Sequence, residues 1–148
     1  MLRDKLSHAK HELMFADTLS ATNDPDGVDL KGFTSATVIC SVGEITNIAG
    51  SPQPSWTLKL QESDSAASGF SDVDEGDMLL DYGNNDGSVA SGVFATIDAA
   101  DEDDVNYTVG YIGTRRYIRV VATAINAPGN TPIAVTVVKE SMQKPQSD

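Results

Sequence analysis

A single cysteine in 148 residues excludes an intramolecular disulfide, so the chain must hold its shape without a covalent staple. Cys40 lies in the alternating run Ala36-Thr-Val-Ile-Cys-Ser-Val42, with no histidine or base nearby, and reads as a small buried hydrophobe rather than a reactive thiol. That usage fits assembly in a reducing cytoplasm. No apolar run approaches the roughly 20 residues of a membrane span. Residues 1–15 are broken by charges throughout, which implies a soluble protein with no signal peptide and no membrane partner. Histidine occurs only as His8 and His11, in a terminal segment with no third metal ligand close by. The Gly-x-Ser-x-Gly elbow, the phosphate-cradling P-loop and His-Glu-x-x-His are all missing. The expectation is a non-enzyme that needs no cofactor and no metal.

Bases are scarce as well, 10 Lys and Arg against 22 Asp and Glu, for a net charge of −12. The imbalance is concentrated between Glu12 and Thr114, where 19 acidic residues meet only Lys31 and Lys59, a local net of −17. Such a surface repels phosphate, which argues against nucleic acid as a partner, and it keeps the protein soluble. Two acidic clusters, residues 72–77 and 98–104, invite a calcium reading. The EF-hand loop needs Gly at position 6 and Glu at position 12. Counting from Asp72 puts Gly76 at position 5 and Gly83 at position 12, and from Asp98 there is no glycine before Gly110, so both clusters read as solvated loop carboxylates, with an adventitious or structural cation as the other reading.

What the chain does contain is a succession of short alternating runs separated by turn formers. Tyr107, Val109 and Tyr111 alternate with Thr108, Gly110 and Ile112. After a turn at Gly113-Thr114, Ile118, Val120, Ala122 and Ala124 alternate with Tyr117, Arg119, Val121 and Thr123. These two runs read as a central hairpin whose second strand is covered on both faces. Residues 35–42, Ser55-Trp-Thr-Leu-Lys-Leu-Gln-Glu62, residues 92–97 and Pro132-Ile-Ala-Val-Thr-Val-Val138 supply further strands. Phe70 and Val73 each return an anchor to the core, and residues 77–81 suit a short turn of helix. Turns are marked by Asn23-Asp-Pro-Asp-Gly27, Ala49-Gly-Ser-Pro-Gln-Pro54, Asn84-Asn-Asp-Gly87 and Asn126-Ala-Pro-Gly-Asn130. The pattern predicts an all-β fold, a single antiparallel β-sandwich of jelly-roll-like type over residues 21–139, followed by a polar tail over 140–148. Residues 1–20 precede it as an arm or edge segment. Leu2, Leu6, Ala9 and Leu13 fall on a helical stripe, while Leu13, Phe15 and Leu19 suit a strand, so residues 1–11 are assigned to an arm and 12–20 to a first strand.

Candidate partner-binding residues come from the two groups of bases. Arg3, Lys5 and Lys10, with the apolar Leu6, precede an acidic domain and fit an arm that reaches outside it; the other reading completes the sandwich with an edge strand or helix. Arg115, Arg116 and Arg119 either pair with the acidic loops of their own chain or present planar forks to a partner's carboxylates, with Arg119 able to lie along the Tyr117 ring.

Three blocks together resemble a family of small virion proteins of tailed bacteriophages and prophages, encoded beside the major capsid protein. They are Gly27-Val-Asp-Leu-Lys-Gly-Phe-Thr-Ser-Ala-Thr-Val38 with Val42-Gly43, Leu58-Lys-Leu-Gln-Glu-Ser-Asp64 with Phe70-Ser-Asp-Val73, and Val109-Gly-Tyr-Ile-Gly-Thr-Arg-Arg-Tyr-Ile-Arg-Val-Val121 with Thr131-Pro-Ile133. The Gly-Tyr-x-Gly-x-x-Arg-Tyr-x-Arg core is the most specific piece. The chain departs from the family at Ser65-Ala66, where Asp-Gly is more usual, and after Lys139, where a short basic, proline-containing tail is common. The resemblance implies no catalytic residues. It implies a capsid decoration or cement protein on the outer shell, made in the bacterial cytoplasm, with the major capsid protein and copies of itself, as dimer or trimer, as partners. Alternatives are a head-tail connector or tail component, or a host-surface glycan-binding module built on Trp56 and the tyrosines, although Trp56 alternates with Leu58 and Leu60 as a core residue does.

Overall fold

The structure, a computed structural model, describes residues 9–80 and 92–141. Ten strands run in chain order: β1 Ala9–Leu19, β2 Val28–Asp29, β3 Ser35–Val42, β4 Ser55–Ser63, β5 Ser71–Asp72, β6 Met78–Leu80, β7 Val93–Ile97, β8 Val105–Tyr111, β9 Tyr117–Ile125 and β10 Thr131–Glu140. They form two antiparallel sheets that pack as a sandwich, so the fold is all-β. One sheet has the order β1-β10-β3-β8-β6. The other has the order β2-β9-β4, with β5 and β7 sharing the far edge of β4 at Gln61–Glu62 and Trp56–Lys59 respectively.

Period-two alternation decides which side chains meet between the sheets. Val38, Cys40 and Val42 of β3, Trp56, Leu58 and Leu60 of β4, and Tyr107, Val109 and Tyr111 of β8 all point inward and are buried. Ile118 and Val120 of β9 and Ile133, Val135 and Val137 of β10 complete the expected core. Trp56 is fully buried, and its indole Nε1 donates to Thr131 Oγ1 at 2.9 Å, satisfying the ring's one polar atom while tying β4 to β10 across the sandwich. Cys40 is fully enclosed, and burial pushes its thiol up to about 12.

The expected central hairpin does not form. β8 pairs with β3 and β6 in one sheet, whereas β9 pairs with β4 and β2 in the other, so residues 112–116 cross between sheets instead of turning back within one. Alternation fixes the face of a strand but not its neighbour, and Gly113-Thr114 is not the Asn-Gly type of loop that closes a tight hairpin. β9 is also covered less completely than its apolar sequence suggested. Of its outward residues only Val121 is buried; Tyr117, Arg119 and Thr123 are half-buried.

Other expectations are corrected at the edges. Residues 78–80 are a strand beside β8, preceded by a 3-10 turn over Glu75–Asp77, not a helical turn. Val73 enters the core but Phe70 stays half-buried outside it. The first strand begins at Ala9, not Glu12, so Lys10 and His11 belong to the sheet. A bulge at Met14 separates the pairs Leu13 to Thr136 and Phe15 to Val135, leaving Leu13 exposed while Met14 and Phe15 pack on the core. The Met14 sulfur then accepts the Val120 N–H at 3.2 Å, between the places where β2 and Asn23 pair with β9. The turn expected at residues 84–87 and the tail from 142 lie outside the described residues.

Candidate functional site

The crossover from β8 to β9 is where the chain's distinctive residues converge. Tyr111 is the last residue of β8. Its ring is buried, and its hydroxyl emerges at the corner, where it donates to Glu62 Oε2 at 2.6 Å and accepts the Arg115 backbone N–H at 3.1 Å. Burial and then the Glu62 bond hold the phenol well above its ordinary range, so it stays a neutral donor. Gly113 lies directly on the ring: a Cβ there would stand 2.5 Å from the hydroxyl and 2.6 Å from two ring carbons. Only glycine permits the backbone to approach so closely. Ile112 N–H, bonded to Asp77 O at 3.0 Å, pins the start of the crossover to the strand-leading turn at β6.

The three arginines radiate from this corner, each with a partner in its own chain. Arg115 pairs with Asp64. Arg116 grips Asp29 with both arms of the guanidinium, Nε to Oδ1 at 3.0 Å and Nη2 to Oδ2 at 2.8 Å. Arg119 donates twice to Gln61 Oε1, at 2.9 and 2.8 Å, and once to the Pro25 carbonyl. Its guanidinium stacks on Phe70, 4.2 Å from the ring centre, rather than on Tyr117; it is Arg116 that lies over Tyr117, at 5.1 Å. The Arg116 bond, with a second from the Lys31 N–H, holds the Asp29 carboxyl well below the usual carboxylate range, and the pairings raise Arg115 and Arg116.

β1 reaches the same region from the other sheet. Lys139, opposite Lys10 in the register, is buried with a 5% exposed side chain; its ammonium binds Glu12 at 2.6 Å and the Asp29 carbonyl at 3.0 Å, and lies 5.2 Å from the Phe33 ring centre. Lys10 itself is exposed. Arg3, Lys5 and Leu6 lie outside the described residues. The predicted groups are therefore only partly assembled: Arg115, Arg116 and Arg119 share one corner, already engaged, and Lys10 stands apart on the β1 edge.

The carboxylate partners were not singled out from sequence. Asp29, Glu62 and Asp64 lie roughly 50 to 90 residues from the arginines and tyrosine they bind, and no local pattern encodes such a pairing. The acidic loops behave similarly. Asp103 Oδ2 accepts the Ile45 N–H, and Glu102 Oε2 accepts the N–H groups of Asp98 and Ala99, so these carboxylates organise their loop. Among the described residues, no three His, Cys, Asp or Glu side chains gather as a metal site. No protein-family model matches the chain, and no curated protein matches it.

Proposed function

We propose that the protein is a non-enzymatic virion structural component that binds the outside of a tailed-phage capsid and stabilises it, with the major capsid protein and copies of itself as partners. The observation that carries this reading is the meeting of the three family-like blocks at one corner. Asp29 of the first block binds Arg116 of the third; Glu62 and Asp64 of the second bind Tyr111 and Arg115; and Gly27 packs where a Cβ would lie 2.8 Å from Phe70 and 2.9 Å from Tyr117. Residues far apart in sequence but joined in one structural unit support the resemblance more strongly than separate local similarities would. The connectivity adds to it. Eight of the strands are ordered β1-β10-β3-β8 in one sheet and β2-β9-β4-β7 in the other, the order obtained by winding one long antiparallel hairpin across two sheets as a jelly roll, an architecture common in viral shells. Fold alone does not assign function, so the reading rests on the blocks.

A glycan-binding role loses its main support, because Trp56 is fully buried and has no face to offer a sugar. The decisive experiment compares negative-stain images of virions with and without the gene. Intact particles that lack outer density are the expected result; headless or tailless particles would overturn decoration in favour of a connector. Antibody labelling of the wild-type shell, expected on the head, gives the location directly.

A further inference from the structure

The two outer faces of the sandwich are chemically unlike. On the β2-β9-β4 sheet the outward side chains form a charged layer, with ion pairs of Arg116 with Asp29 and of Lys59 with Asp72 at 3.1 Å, and with Arg119 donating to the Gln61 amide oxygen. On the β1-β10-β3-β8 sheet the outward side chains are uncharged for most of the strand length. The register places Leu13, Thr136, Ile39 and Thr108 in one row, and His11, Val138, Thr37, Gly110 and Leu79 in the next. Among the described outward residues of β10, β3 and β8 the carboxylate is Glu140, at one end of β10, and Asp17 of β1 borders the hollow at the other end. In a chain of net charge −12, a broad face whose central rows carry no carboxylate needs an explanation.

The face also has relief. Leu13 and Leu79, 60% and 57% exposed, stand proud at its two edges with Ile39 between them. Beyond them the same strands carry the smaller residues Ala16, Ala134, Ser41 and Gly43, with Pro132 lying against Gly43, and there the surface sinks into an open hollow of about 640 Å³ whose lining also includes Thr18 and the exposed Asp17 at the β1 edge.

We propose that this face joins two copies of the chain in an isologous dimer, with the ridge around Leu13 and Ile39 of each copy seated in the Ala16–Ala134 hollow of the other. A ridge and a hollow on one surface are self-complementary: a two-fold axis in the plane of the face, running across the strands, exchanges them. Electrostatics favours a second copy at this face over the rest of the surface, because its central rows bring no carboxylates together and leave Asp17 and Glu140 at the two ends. The area suffices. Four strands about 4.8 Å apart and four outward rows about 6.8 Å apart give a footprint of about 500 Å² per copy, so about 1,000 Å² for the pair, at the lower bound of a specific interface. The ionic sheet and the arginine corner remain free to face other proteins. The inference does not depend on the virion reading and is measured with no shell present.

Sedimentation velocity of the full chain across a range of concentrations tests it. The wild-type protein is expected to sediment as a dimer at tens of micromolar, whereas Ala134→Glu and Leu13→Lys, each placed on the outer face, raise the dissociation constant at least about tenfold while the melting curve of the dilute protein stays close to wild type. Mixing the two variants should restore association, because one of the two ridge-in-hollow contacts then pairs the introduced carboxylate with the introduced ammonium and the other is unaltered. A wild-type chain that remains monomeric throughout, or a dimer indifferent to both substitutions, overturns the proposal. Loss of shell binding by the same variants in a monomeric wild type would assign the face to another protein instead. Failure of the mixture to associate would overturn the ridge-in-hollow arrangement.

Discussion

Tyr111 shows how one side chain can hold two sheets in register with each other. Its ring belongs to the core, its hydroxyl links Glu62 of β4 to the Arg115 N–H that leads into β9, and Gly113 is folded onto its face. Tyr111→Phe keeps the packing and removes both bonds, so we expect a loss of about 1–2 kcal/mol, read as a lower urea midpoint with unchanged slope. Gly113→Ala drives a methyl into the ring and should cost about 1–3 kcal/mol in the same assay. A wild-type midpoint for both variants would show that the corner is not held this way. Titration acts at the same scale. Cys40 and Tyr107 are each raised to about 12, from 9.0 and 10.0, both chiefly by burial. Because the folded values exceed the unfolded ones, their contribution is complete below about pH 9 and is lost as pH rises toward 12. The urea midpoint should therefore fall from about pH 9 upward, and Cys40→Ala should flatten the first part of that decline.

At the scale of the element, β1 is the strand that sequence described least well, and tertiary contacts are what define it. Its only sheet neighbour among the described strands is β10, and it is further fixed by the Met14 bulge under β9 and by Glu12 on the buried Lys139. Glu12→Ala strands an ammonium that is 5% exposed, and we expect a loss of about 2 kcal/mol, less than a fully buried pair because Glu12 is itself 41% exposed. Adding Lys139→Met should recover part of it, since an apolar chain of similar length carries no charge to desolvate. A double variant less stable than Glu12→Ala alone would contradict this account. β9 provides the complementary case: Val120 has no exposed surface, and Val120→Asp should prevent folding, so a soluble, cooperatively melting variant would refute its place at the centre of the core.

For the whole molecule, the dominant quantity is the net charge of −12. The described ion pairs use only some of the carboxylates, and the remainder repel one another. Raising salt from about 10 to about 150 mM shortens the screening length from about 30 to about 8 Å, and the melting temperature is expected to rise. A fall would mean that the ion pairs of the arginine corner outweigh the repulsion. The arm is tested at this scale too. Deleting residues 1–8 leaves all of β1, so the melting temperature of the isolated chain should hardly change; under the proposed capsid role, with an arm that reaches a neighbour, the same deletion is expected to weaken retention on the shell. Deletion through Leu19 removes the edge strand and should lower the melting temperature substantially.

Period-two alternation was sufficient to identify most of the strands and their inward residues, though not the place of Phe70, because burial on one face of a pleated strand is written locally in every second residue. Trp56, Leu58 and Leu60, or Val109 and Tyr111, needed no knowledge of their neighbours to be placed inside. The same locality is why the sequence could not say that β8 and β9 lie in different sheets, or that residues 78–80 pair as a strand: a pattern of faces contains no information about which edge meets which. The arginines made the limit plain. Their clustering was visible at Arg115, Arg116 and Arg119, but their partners, Asp64, Asp29 and Gln61, were brought to them only when β2 and β4, distant in sequence, paired with β9 in one sheet. The difference between the ionic and the uncharged outer face was likewise decided by tertiary structure, because only the strand order determines which outward residues become neighbours.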